Sequence, residues 1–321
     1  MKKQIQKNFQ NTLYAPLLST SLASTYQRGI TDGLWQILHR ATRIAKIHKK
    51  KLIASGINAI LEIKGKPRGD HPITYVIYHV PFEESENKSI GSFDVPTIDH
   101  SKIQHLDLVK WTIEAIRDKS PDAEIVLCTD KNFGKKINDE NVTLIYPDVE
   151  RNRPMYYRAK TYNTIVQKKW IKNVVVFLDS DAIVLKDLES LPKKLNFDVG
   201  VTSRFAPNLM PINEGVIIAN AESQECINFF AHYMGTYEAI KDDKKIQAVT
   251  KNDLMRWRGG QLSLNSICGG IKLVDFRDSL DRIKILPCSI FNYAVRDKSE
   301  VQDLKEQGKV YVAHIKGKAK Y

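Results

Sequence analysis

Between residues 174 and 181 the chain reads Val-Val-Val-Phe-Leu-Asp-Ser-Asp. Five consecutive apolar residues, β-branched or bulky, make a strand that is buried on both faces. Two carboxylates separated by one residue then close it. Neither can enter an apolar core without a large desolvation penalty. They must therefore meet water or a cation at the strand's carboxyl end. Side chains i and i+2 of an extended backbone point the same way, so Asp179 and Asp181 are expected to converge on one metal ion. Hard carboxylate oxygens suit Mg2+ or Mn2+, and such an ion can hold a diphosphate and neutralise a leaving group. The plainer alternative is a loop with two solvated acids, or a helix cap followed by a turn residue.

The flanking sequence alternates in period. Ile73–Val80 mixes aromatic and β-branched residues as a strand does. Residues 103–117 carry apolar side chains at helical spacing. Glu124–Cys128 and Val142–Tyr146 are short strands, and Tyr156–Trp170 is again helical. Such alternation predicts an α/β domain with a mostly parallel sheet, which binds ligands at the carboxyl ends of its strands. With 321 residues, 42% of them hydrophobic, the chain can bury a sizeable core and is not disordered throughout. No apolar run is long enough to span a bilayer, and the polar, lysine-containing start does not read as a secretory signal. A cytoplasmic protein, peripheral at the cytoplasmic membrane face, is expected. The four cysteines, Cys128, Cys226, Cys268 and Cys288, are widely spaced and fit neither a zinc site nor a disulfide framework.

The net charge of +12 is unevenly placed. Residues 1–70 hold 13 Lys and Arg against 3 Asp and Glu, whereas the other 251 hold 36 against 34. A helical pattern runs through Leu34, Ile37, Leu38, Ala41, Ile44 and Ala45, with arginines and lysines crowding its other sides. Gly65, Pro67, Gly69 and Pro72 then break the pattern. These features divide the chain into a basic, largely helical extension over 1–70 and a domain over 71–321. The basic face suits an anionic membrane surface. Nucleic acid is not expected, because the main domain is nearly neutral and the basic helix has few aromatics to stack on bases.

The stretch from Val174 to Leu188 resembles the Asp-x-Asp region of GT-A glycosyltransferases, especially glycosyltransferase family 8, the glycogenin-like group. Three later segments extend the likeness: Asn213-Glu214-Gly215 before an apolar strand, Gly260-Gln261 through Asn265, and His314-Ile315-Lys316-Gly317-Lys318-Ala319-Lys320. The resemblance implies a GT-A, Rossmann-like nucleotide-diphospho-sugar transferase fold. It also implies Mn2+ or Mg2+ held by Asp179, Asp181 and His314 against a nucleotide-sugar donor, a UDP-sugar. By the same likeness Ser180 would lie near the ribose, and Gly317 and Lys320 would approach the diphosphate. Gln261 would sit by the anomeric carbon, and Asn213 where donor and acceptor meet. Arg158 and Lys160, opening the helix before the acidic pair, would lie near the nucleotide sugar; solvation on the helix surface is their other reading. Asp130 is a nucleotide contact or a cap of the next turn.

Two departures stand out. Gly260 occupies a position where the family usually has Asp, and Glu214 one where it often has a small residue. A carboxylate at 214 could bind a sugar hydroxyl or act as a base. The expected reaction is transfer of the sugar, with retention, to a glycan, a lipid-linked acceptor or a protein. One rival is a haloacid-dehalogenase-like phosphohydrolase, which also places Asp-x-Asp after an apolar strand. Its motif normally continues to Thr or Val where this chain has Ile183. The other rival is a binding protein acting through its basic surface.

Overall fold

The computed structural model describes residues 36–81, 105–150, 152–204, 211–250, 259–268, 282–295 and 298–315. Its strands are β1 (Ile63–Lys64), β2 (Ile73–Tyr78), β3 (Glu124–Cys128), β4 (Val142–Pro147), β5 (Val174–Asp179), β6 (Ala182–Val184), β7 (Val199–Ser203), β8 (Ile212–Asn220), β9 (Ile283–Pro287), β10 (Tyr293–Val295) and β11 (Val312–Ile315). The longer helices are α1 (residues 36–47), α2 (Lys49–Asn58), α3 (His105–Lys119), α4 (Pro154–Gln167), α5 (Gln224–Lys241), α6 (Lys244–Thr250), α7 (Gly259–Ile267) and α8 (Glu300–Gln307).

Eight strands form one mixed, largely parallel sheet in the order β1-β4-β3-β2-β5-β8-β7-β9. The run β4-β3-β2-β5 is parallel throughout, and β8 is antiparallel to both β5 and β7. From β2 the chain winds outward to β3 and β4, then returns to place β5 on the other side of β2. The strand order therefore reverses between β2 and β5, where an open α/β sheet leaves a crevice at its carboxyl ends. Tyr78 of β2 is in register with Asp179 of β5 at that edge.

Alternation along the central strands explains why both faces are covered. Val175 and Phe177 of β5 join a core under α1, α4, α5 and α7, while Val176 and Leu178 join the core under α3. Every residue of β2 is buried, so the apolar run predicts the two-sided burial directly. None of the four cysteines is in a disulfide, and all are buried, as small core residues.

Residues 36–64 contribute to this architecture. Ile37, Leu38, Ala41 and Ala45 of α1 are buried in the larger core. Helix α2 crosses α5 so closely that a Cβ on Gly56 would strike the Ala231 carbonyl, and one on Gly235 would strike that of Leu52. Asn163 of α4 donates through Nδ2 to the carbonyls of Gly56 (2.9 Å) and Ala59 (3.2 Å). Strand β1 then pairs antiparallel with β4 at the sheet edge. No helix among the described residues is long and apolar enough to cross a membrane.

Candidate active site

Strand β5 delivers Asp179 to the carboxyl edge of the sheet. The next two residues form a turn, and β6 leaves the main sheet for a three-stranded one ordered β10-β11-β6. The two carboxylates therefore converge across a turn and not along an extended strand as expected. The chain switches sheets at this point, which breaks the strict alternation of side chains. Strand β11 pairs antiparallel with β6, setting His314 opposite Ala182. The Ile315 N–H donates to the Asp181 carbonyl at 2.9 Å. This ladder carries a histidine 133 positions away up to the acidic pair.

The result is a tight cluster. His314 Nε2 lies 3.1 Å from Asp181 Oδ1 and 3.7 Å from Asp179 Oδ2. One donor atom from each of the three residues lies within 4.8 Å of the others. Asp181 and His314 are each 6% exposed. His314 Nδ1 donates to Asn292 Oδ1 at 2.9 Å, and that bond turns the Nε2 lone pair toward the carboxylates. Three electron-pair donors, two of them buried, aimed at one point repel one another unless a cation or proton joins them. Two carboxylates and an imidazole are a donor set that fits a divalent ion such as Mn2+ or Mg2+.

Asn292, 2% exposed, has no counterpart among the sequence-predicted residues. Its Nδ2 donates to Asn213 Oδ1 (2.8 Å) and Thr202 Oγ1 (3.1 Å), which fixes the amide orientation and leaves Oδ1 to the histidine. Asn213 Oδ1 also accepts the Gly215 N–H at 2.7 Å. Asn213 thus supports the histidine through Asn292. Such orienting contacts tune ligand basicity and ring position. Gly215 is needed for space: a Cβ there would lie 2.8 Å from His314 Cε1 and 2.9 Å from Asp179 Oδ2. A register shift between β7 and β8 at Val201/Thr202 bulges the strand at this segment.

Arg158 reaches from α4 into the same site. Its guanidinium hydrogen-bonds Asp179 through one nitrogen and Glu214 through another. Both Arg158 and Glu214 are buried. Burial raises the Glu214 carboxyl above its ordinary pKa, and Arg158 opposes that rise. Glu214 Oε1 has no hydrogen-bond partner among the described residues. A Cβ at position 260 would overlap the Glu214 carboxylate. Glycine at 260 and glutamate at 214, the two departures noted in the sequence, thus fill one space between them.

The other expected residues are placed as follows. Ser180, half-buried in the turn, has its Oγ 3.1 Å from His79 Nδ1. Gln261 is half-buried on α7, and its carbonyl accepts from Asn265 Nδ2 at 2.7 Å. Asn265 Oδ1 in turn accepts the Ile212 N–H at 3.1 Å, tying α7 to the start of β8. Lys160 lies over the Tyr156 ring, with Nζ 5.8 Å from its centroid. Asp130 caps a helical turn by accepting from the N–H groups of Asn132 (2.8 Å) and Phe133 (2.9 Å). Gly317 and Lys320 lie outside the described residues.

No family model matches the chain, and no curated protein matches its sequence. Several solved structures resemble the fold. One is a glycosyltransferase involved in glycosylation of the major capsid of PBCV-1: 12% identity, TM-score 0.41, covering 77% of this chain and 94% of that one. Mouse xyloside xylosyltransferase 1 gives 10% identity and a TM-score of 0.43, over 76% and 97% of the two chains. The galactosyltransferase LgtC, solved with donor and acceptor sugar analogues, gives 11% and 0.40 over 77% and 88%. At such low identity and superposition, the likeness carries nothing about substrate or mechanism.

Proposed function

We propose that the protein is a metal-dependent glycosyltransferase that moves a sugar from a nucleotide-diphosphate donor, a UDP-sugar, to a glycan, lipid-linked or protein acceptor. The observation that carries this reading is the convergence of Asp179, Asp181 and His314 at the carboxyl edge of the sheet, with Asn292 fixing the imidazole. These three residues would hold Mn2+ or Mg2+. When bound, the ion supplies positive charge to a diphosphate leaving group. Acidic side chains outnumber Arg158 in the site, so a divalent cation also balances its charge.

The remaining roles follow from chemistry. Arg158 holds Asp179 and Glu214 apart in fixed positions by charge-assisted bonds. Glu214, with one oxygen on Arg158 and the other without a hydrogen-bond partner among the described residues, is suited to accept a hydroxyl of the bound sugar. One Glu214 oxygen is already engaged by the Arg158 guanidinium, so Glu214 is assigned to sugar binding, with retention as the family resemblance implies, and not to an inverting attack. Gln261 would orient the acceptor or stabilise developing positive charge near the anomeric carbon. Ser180, Lys160, Gly317 and Lys320 would complete the nucleotide and diphosphate contacts. The phosphohydrolase alternative is not favoured. It needs Asp179 free as a nucleophile, and here that carboxylate is committed to Arg158 and faces His314.

The test is hydrolysis and transfer from a panel of UDP-sugars with Mn2+. Metal-dependent donor turnover is expected, reduced by at least a hundredfold in Asp181→Ala and His314→Ala. Wild-type turnover in both variants would overturn the metal assignment. Release of phosphate from a generic aryl phosphate, with no sugar transfer, would favour the phosphohydrolase. Product NMR reads the anomeric configuration, and an inverted product would reassign Glu214 as the base.

A further inference from the structure

Among the described residues, a run of basic side chains and the two most exposed large apolar side chains lie on the same pair of helices, α1 and α2. Among the described residues three large hydrophobic side chains are exposed: Ile47 at 61%, Ile57 at 43% and Ile290 at 37%. The first two lie on α1 and α2. No acidic residue occurs between positions 33 and 61, whereas Arg40, Arg43, Lys46, Lys49, Lys50 and Lys51 all do. Arg40 is committed to Asp243 at 2.8 Å. The other five are exposed and make no ion pair among the described residues.

The packing shows which face is free. Helix α1 turns Ile37, Leu38, Ala41 and Ala45 into the core, and α2 turns Leu52 and Gly56 against α5. At 100° per residue Ile47 stands on the opposite face of α1, one turn from Arg43 and beside Lys46. Ile57 shares its face of α2 with Lys50, two turns away. An apolar side chain ringed by unpaired ammonium and guanidinium groups is poorly suited to water. It matches a surface that offers phosphate groups above hydrocarbon. The acidic groups near this face, Asp243 and Asp242, sit at the end of α5, where Asp243 is taken by Arg40 and Asp242 by Lys241 at 3.0 Å.

We propose that the α1–α2 surface docks the protein on an anionic lipid bilayer, with Ile47 and Ile57 entering the headgroup region and the basic side chains meeting lipid phosphates. The docking helices are rigidly tied to the catalytic candidate's scaffold through the α2–α5 crossing. Bound in this way, the sheet domain is held at a set orientation to the membrane.

The test uses the full chain and sedimentation with two vesicle types: phosphatidylcholine alone, and phosphatidylcholine mixed with phosphatidylglycerol. Binding is expected only to the second, weakening as salt is raised. The charge-reversed variant Lys46→Glu/Lys49→Glu/Lys50→Glu should bind about a hundredfold more weakly. Ile47→Ser, a change at an exposed site that leaves the fold intact, should bind about tenfold more weakly and lose the binding that survives high salt. Four results would each overturn the proposal. These are no binding by the wild type, equal binding to both vesicles, undiminished binding of the charge-reversed variant, and displacement from vesicles by a short RNA at equal phosphate concentration. None of them depends on sugar transfer, so the outcome is independent of the transferase reading.

Discussion

Asn292 decides how the imidazole of His314 is presented. Its amide is oriented by Asn213 and Thr202, and its oxygen takes the Nδ1 proton. Removing it leaves the ring free to turn and leaves buried partners unsatisfied. Asn292→Ala should therefore weaken Mn2+ binding by about 10–100-fold, measured by calorimetry or electron paramagnetic resonance. Unchanged affinity would show that the ring is held by its strand alone. Asp179 and Asp181 were legible in the sequence, because two acids after a buried strand have few places to go. Asn292 was not: a single asparagine before a short strand carries no local signal. Its meaning arises only when β10 pairs with β11 and brings Ala294 into register with His314. Arg158 was legible as a basic residue near the site, but its bridging of Asp179 and Glu214 was not.

At the scale of elements, the close crossing of α2 and α5 holds the N-terminal helices in place. Gly235→Ala would force a methyl into the Leu52 carbonyl. It should destabilise the fold by about 2–3 kcal/mol, seen as a lower denaturant midpoint at constant slope. A pH response belongs to the neighbouring contact between α1 and α5. His232 is buried on α5, with Nε2 3.1 Å from the Ala45 carbonyl of α1. Burial lowers its pKa from the ordinary 6.5 despite that hydrogen bond. The unfolded chain then takes up a proton before the folded one does. Stability from this site is complete above pH 6.5 and falls as the pH drops toward the lowered folded value. Unfolding midpoints of wild type and His232→Gln, compared between about pH 5 and 7.5, should show that loss in the wild type and its reduction in the variant. An equal slope in both would remove His232 from the account. The helical period of residues 34–45 announced a buried face, yet periodicity does not name the partner that buries it.

For the whole molecule, a cation held only by the folded state must stabilise it. Mn2+ at a hundred times its dissociation constant should add about 2.7 kcal/mol, raising the thermal midpoint by several degrees. Asp181→Ala should abolish the increment; an equal rise in that variant would place the binding elsewhere. By itself the sequence determined the layered α/β class, the buried central strand and the acidic pair at its end. Each of these follows from local hydrophobic pattern and the cost of burying charge, which act wherever the chain goes. Only the tertiary structure decided that a turn, not an extended strand, brings the two acids together, and that Glu214 occupies the space left open at Gly260. It also decided that the basic helices lie against α5 with Ile47 and Ile57 outward. Those outcomes depend on strand pairing and helix contact between residues far apart in the chain, and no pattern within one segment encodes its neighbour.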